Sequence, residues 1–146
     1  MFNPDLSGDP AWRPLVLPDL LTNPNSFVSG DPGGNRLRLK YYRDEETRKI
    51  IAQTWFGPGV EGPPQHAHGG SIASVLDEAM GVAAHFEVRS VVAAHISINF
   101  LKLVPLASIV SATTWVEKVE GKKVYTKCEL TGAEGETYAT GTGLFI

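Results

Sequence analysis

The apolar positions change period twice along the chain. From Arg36 to Arg43 they alternate, with Leu37, Leu39 and Tyr41 on one side and Arg36, Arg38, Lys40 and Tyr42 on the other, the period-two pattern of a half-buried strand. A polar turn follows, Ile50 to Phe56 completes a hairpin, and GPGVEGPPQ from Gly57 to Gln65 reads as a glycine and proline loop. Between Ser71 and Phe86 the period becomes helical: Ile72, Val75, Leu76, Ala79, Met80, Ala83 and Phe86 recur at spacings of three and four. Ser71, or else Gly70, is the expected N-cap. Small or apolar residues nearly surround this segment, which predicts a core helix covered on most sides. Period two then returns in Val91 to Val104, where Ala94, Ile96, Ile98 and Phe100 oppose Ala93, His95, Ser97 and Asn99, until Pro105 stops the strand. Ser108 to Val119, Lys122 to Thr131 and Glu136 to Ile146 complete the set. One long helix among runs of strands predicts an α+β fold in which an antiparallel sheet wraps a central helix.

Before this domain, expected over residues 35–146, stands an arm of 34 residues broken by Pro4, Pro10, Pro14, Pro18, Pro24 and Pro32. It is expected to be irregular, docked through Trp12, Leu15, Leu17, Leu20 and Leu21, and partly helical.

Composition narrows the function classes. With 42% hydrophobic and 20% charged residues, the chain has the makings of a packed core and is too apolar for disorder. A net charge of -3 lacks the basic excess that a nucleic-acid or membrane-surface partner requires. The lone Cys128 offers no internal disulfide, which fits a reducing, cytoplasmic compartment, and its half-buried strand favours inert packing. Asp5, Asp9 and the early prolines are unlike a signal peptide, and no stretch approaches the roughly 20 apolar residues of a membrane span.

The chemistry centres on Asp77. An acidic residue inside an otherwise apolar helix carries a desolvation cost unless it has partners or faces a cleft. Its helical neighbours Ala73, Ser74, Met80 and Gly81 are mostly small, which leaves room for a ligand. The plain alternative is a solvated or hydroxyl-paired aspartate. Gly69 and Gly70 precede it at the helix entrance, where backbone N–H groups have no helical partner and gain from the positive dipole end. Such donors suit a developing oxyanion, although caps and tight turns use glycine as often.

The segment HGGSIASVLDEAMG, His68 to Gly81, resembles the signature of hot-dog-fold acyl-CoA thioesterases of the phenylacetic-acid and 4-hydroxybenzoyl-CoA type, in which an acidic residue follows the histidine by nine positions. GPPQ (Gly62 to Gln65), INFLKLVP (Ile98 to Pro105) and YATGTGLF (Tyr138 to Phe145) are also similar to that family, in the same order. The resemblance implies a hot-dog fold and hydrolysis of an acyl-CoA without a cofactor. It implies that Gly69 N–H, assisted by Gly70, polarises the thioester carbonyl, that Asp77 activates water or attacks the carbonyl, and that His68 positions the loop. Gly62 stands where the family often has an amide side chain, and Ala93 where it often has Ser or Thr; a water-holding partner is therefore sought in Gln65, Ser74 or His95.

Gly69 and Asp77 are eight residues apart, roughly 12 Å along a helix axis, too far for one carbonyl to touch both. Antiparallel helices of two subunits would bring Gly69 of one beside Asp77 of the other, as the family is built, so a homodimer or a dimer of dimers is expected, with Val91 to Val104 as its seam.

Other constellations are thinner. His66, His68, His85 and His95 lack a clear third-ligand motif, and no metal is expected. Arg36, Arg38 and Lys40 suit CoA phosphates or a solvent face that discourages edge pairing. Two rival functions stay open: a hot-dog acyl-CoA hydratase or dehydratase, which pairs its carboxylate with a catalytic histidine such as His68 or His95, and a non-catalytic acyl-CoA binding module.

Overall fold

The computed structural model describes residues 3–146; of the arm expected over residues 1–34, the first two positions lie outside the described residues. Seven strands form one antiparallel sheet: β1 (Trp12–Pro14), β2 (Leu37–Asp44), β3 (Ile50–Phe56), β4 (Ala93–Phe100), β5 (Ile109–Glu120), β6 (Lys123–Thr131) and β7 (Thr137–Phe145). Their spatial order is β1-β2-β3-β5-β6-β7-β4. The single α-helix among the described residues, α1 (Gly69–Glu87), follows β3 after the loop of residues 57–68 and lies across the sheet, chiefly over β5 and β6.

Alternation explains the core. Along β6 the inward residues Val124, Thr126, Cys128 and Leu130 are buried while their neighbours are not, and Val110, Ala112 and Thr114 do the same on β5. Facing them, α1 buries Ile72, Val75, Leu76, Ala79, Met80 and Ala83 on the stripe that its spacing predicts. The helix lies close to β7 because Gly143 replaces an inward side chain. A Cβ on Gly143 would stand 3.2 Å from Met80 Sδ, and one on Gly141 would stand 2.7 Å from Ile98 Cδ1 and 2.9 Å from Cys128 Sγ.

Three expectations are corrected. The arm is not irregular throughout: β1 pairs with β2 in the register Trp12 to Asp44, Arg13 to Arg43 and Pro14 to Tyr42, while the short 3₁₀ turn Asp19–Leu21 agrees with the partly helical expectation. Pro14 is tolerated because an edge strand has one side free of ladder bonds. The outer face of β2 is not simply solvated. Arg38 is buried, donates to the carbonyls of Gly34 (2.8 Å) and Gly33 (3.1 Å) and stacks over Trp55, while Tyr42 is covered by Trp12. The strand after the helix ends at Phe100, short of Val104, because the N–H groups of Leu101 and Lys102 both turn to the carbonyl of Tyr138.

The strand β4 lies at one end of the sheet, bonded to β7 on one side only. Near its ends Val92 is 72% exposed, Phe100 54% and Leu103 58%. No helix among the described residues is long and apolar enough to cross a membrane.

Candidate active site

The helix entrance is held by a short ladder. Ala67 N–H donates to the carbonyl of Val104 and His68 N–H to that of Val60, both at 2.8 Å, so the loop after β3 is pinned at each side. His68 adopts an extended backbone, and its ring Nδ1 accepts the N–H of Gly70 at 2.8 Å. His68 is therefore the N-cap, correcting Ser71 and Gly70. Ser71 lies inside the first turn, its hydroxyl donating to the carbonyl of His68 at 2.6 Å. With Nδ1 accepting, a neutral His68 ring carries its proton on Nε2.

This arrangement separates the two glycines. The Gly70 N–H is engaged by His68, whereas the Gly69 N–H has no hydrogen-bond partner among the described residues. It stands at the start of a 19-residue helix, where the dipole concentrates partial positive charge. It opens on a cavity of about 250 Å³ bounded by Phe100 and Leu103. A Cβ at Gly69 would press on the Phe100 ring at 3.5 Å and narrow that cavity.

Two turns along the helix, Asp77 is half-buried and makes no hydrogen bond or ion pair with any described residue. Burial raises its carboxyl above the ordinary aspartate value, since the charged form loses hydration that nothing replaces. It lines a second cleft, of about 650 Å³, walled on one side by Leu17, Leu20 and Leu21 of the arm and on the other by Val91 and Val92, with Gly81 and Phe145 also lining it. Gly69 and Asp77 of one chain thus open into different cavities.

The remaining expected site residues are not gathered around Asp77. The Ser74 hydroxyl donates to the carbonyl of Gly70 at 2.7 Å and lines a cavity that it shares with His68, Ser71 and Arg36. Gln65 is exposed at φ 65°, and its backbone is tied to Glu61 and Leu106. His95 lies opposite Leu144 and projects with Ser97 and Asn99 to the outer face, while Ile96 and Ile98 point toward the helix side. Within one chain, therefore, neither His68 nor His95 shares the Asp77 cleft. The histidine that does is His85, two turns beyond the carboxylate near the helix end.

Residues 64–139, half of the chain, match the thioesterase superfamily. The chain belongs to that family. Acyl-coenzyme A thioesterase THEM4 of Xenopus laevis is 34% identical over 117 residues, covering 80% of this chain and 53% of the relative. The chain spans about half the length of that curated relative. A thioesterase superfamily protein of known crystal structure superposes with a TM-score of 0.72 at 24% identity, over 85% of this chain and 59% of the other. A Bacillus halodurans protein crystallised with CoA superposes with a TM-score of 0.60 at 26% identity, over 69% and 68% of the two chains. The helix wrapped by an antiparallel sheet is accordingly a hot-dog fold, as the family resemblance implied.

One residue of this thioesterase-family site escaped sequence reasoning. Glu78, next to Asp77, accepts hydrogen bonds from the hydroxyls of Ser26 (3.1 Å), Ser29 (3.2 Å) and Tyr41 (3.1 Å). Tyr41 is buried, and desolvation together with the Glu78 charge pushes its phenol well above the usual tyrosine range, so it remains a neutral donor. The chain carries no local signal for this cluster, because Glu78 lies 37 to 52 positions from its three partners.

Proposed function

We propose that this chain hydrolyses acyl-CoA thioesters at a site completed by a second copy, with Asp77 of one copy facing Gly69 of the other. The carrying observation is the pairing of an unpartnered, desolvated carboxylate with an unpartnered helix-start N–H on the same helix, roughly 12 Å apart along its axis and in separate cavities. Each is half of a hydrolytic site: the N–H receives the negative charge that develops on the thioester oxygen, and the carboxylate supplies the base or nucleophile. The apolar residues exposed around β4 and its unpaired edge support self-association there, which would also remove an edge open to stray pairing. The THEM4 relative's name and the CoA in the Bacillus halodurans structure support an acyl-CoA as substrate.

In the water route, ionised Asp77 takes a proton from water as its oxygen attacks the carbonyl carbon, the oxyanion rests on Gly69 N–H, and the C–S bond breaks. The departing CoA thiolate receives the proton that Asp77 accepted. In the alternative, an Asp77 oxygen attacks the carbonyl carbon, the C–S bond breaks and CoA leaves as thiolate; water then cleaves the resulting anhydride, regenerating the Asp77 carboxylate, releasing the acid and giving its proton to the thiolate. Both routes require the carboxylate ionised and the N–H free.

Complementation tests the proposal. Asp77→Ala removes the carboxylate; Gly69→Pro removes the N–H at a first helical position, where proline is tolerated, after a His68 backbone already extended. Each parent is expected to be inactive. A mixed dimer has one site with both defects and one with neither, so activity should return on mixing. Folded heterodimers that remain inactive would place both groups of the site within one chain.

A further inference from the structure

The cleft beside Asp77 has a wall that the helix and sheet do not supply. Leu17, Leu20 and Leu21 come from the arm, and Leu20 is 68% exposed, an apolar side chain on the cleft left largely uncovered by the described residues. Along the helix the floor passes from Asp77 to Gly81 to His85, one residue per turn on one face, roughly 12 Å in all. Gly81 contributes no side chain, and so leaves a channel open directly beyond the carboxylate; Phe145 lies 3.3 Å from where its Cβ would be. The cleft thus has polar groups at Asp77 and His85 and at Asn23 and Ser26 of the arm, and an apolar lining from Leu17, Leu20, Leu21, Val91 and Val92.

The arm is fixed by the charge next to the reacting one. Ser26 and Ser29 donate to one oxygen of Glu78 and Tyr41 to the other, so one carboxylate ties the arm, the second strand and the central helix together. Hydrogen bonds to a charged acceptor are worth about twice neutral ones, and here they act at the residue adjoining Asp77. Any shift of the arm moves the leucine wall relative to Asp77.

We infer that the arm is the acyl-selecting wall of the site: Leu17, Leu20 and Leu21 receive an unbranched aliphatic acyl chain running from Asp77 along Gly81, and Glu78 is the positioning residue that sets the width of the channel. This rests on the thioesterase reading and adds to it the residues that choose the substrate. The chain in the channel covers the arm leucines, and its length is measured against them.

The test compares kcat/KM for decanoyl-CoA and acetyl-CoA in the full chain and in Leu20→Ala, Leu21→Ala, Glu78→Ala and Glu78→Gln. Removing wall methylenes should lower the decanoyl to acetyl ratio about tenfold, the scale of a lost hydrophobic contact in a specificity pocket. Glu78→Ala should lower the same ratio through KM, and Glu78→Gln, which keeps an acceptor oxygen, should restore part of it. A purely structural role for Glu78 would depress both substrates alike and overturn its assignment. Ratios unchanged in the leucine variants, with Asp77-dependent hydrolysis intact, would overturn the wall while leaving the thioesterase reading standing. If no acyl-CoA is hydrolysed, binding of non-cleavable decanoyl-CoA and acetyl-CoA thioethers decides the question. Selective loss of decanoyl affinity in Leu20→Ala supports the wall without turnover, and equal affinities in both proteins refute it.

Discussion

Replacing Asp77 with asparagine should separate activity from stability, with opposite signs. The side chain is half-buried and has no hydrogen-bond or ionic partner among the described residues, so the substitution removes a charge without breaking a contact. Loss of the base should lower hydrolysis at least about 10²-fold, which corresponds to about 2.7 kcal/mol of transition-state stabilisation. Stability should move the other way. Because burial raises the folded-state pKa above the unfolded value, folding binds the proton more tightly, and the ionised carboxylate opposes folding. That opposition is absent below the unfolded pKa, grows as pH rises through the window between the two values, and is fully present above the folded pKa. At neutral pH Asp77→Asn should therefore be more stable than the parent, by less than about 1 kcal/mol, because the group keeps part of its hydration. The advantage should vanish in acid. The assay is urea unfolding of both proteins at pH 7 and at pH 3.5, beside acyl-CoA turnover followed by thiol release. A folded variant with unchanged turnover would remove Asp77 from the chemistry; a variant less stable at pH 7 would show that the carboxylate has a stabilising partner. The acid limb of the parent's pH-rate profile should lie above the ordinary aspartate range for the same reason.

Other outcomes follow from single features. Gly141→Ala should destabilise the fold by about 1–3 kcal/mol in chemical denaturation, since the added Cβ meets Ile98 and Cys128 inside 3 Å; a neutral result would mean that β4 and β6 yield easily there. Burial pushes the Cys128 thiol up to about 12, so a thiol reagent should leave the native protein unmodified and label one site after unfolding; rapid native labelling would contradict the packing of β6. Among the described residues no three His, Cys, Asp or Glu side chains converge as metal ligands, and hydrolysis should continue in EDTA; loss restored by zinc would refute this.

The elements were legible wherever a single period ran long enough. Ile72 to Ala83 and the strands β5 to β7 follow from spacing alone, because each buries one face, whereas Phe86, expected on the same stripe, is exposed at the helix end. What spacing could not convey was cover from a distance. Arg38 and Tyr42 read as solvent-facing from their alternation, yet the arm and its glycine carbonyls lie over them. The N-cap was misplaced because a histidine ring accepting an N–H two residues on is not among the usual capping chemistries. At the site, Asp77 and Gly69 were legible through their places on one helix. Glu78 was not, because its neighbours in space come from the arm and from β2 and its role appears only when those segments are folded onto the helix.

The strand order carries a consequence for synthesis. The turns joining β5, β6 and β7 are short, so this meander closes from local contacts as it emerges. The earlier strand β4 has its bonded neighbour only in β7, the last strand in the chain, and until Thr137–Phe145 arrives it has no ladder to join. Its outer edge therefore exists as an ordered surface only once Thr137–Phe145 has been made. Until then Ala93–Phe100 has both edges unpaired, so a growing chain is most open to stray pairing in the interval before β7 is made.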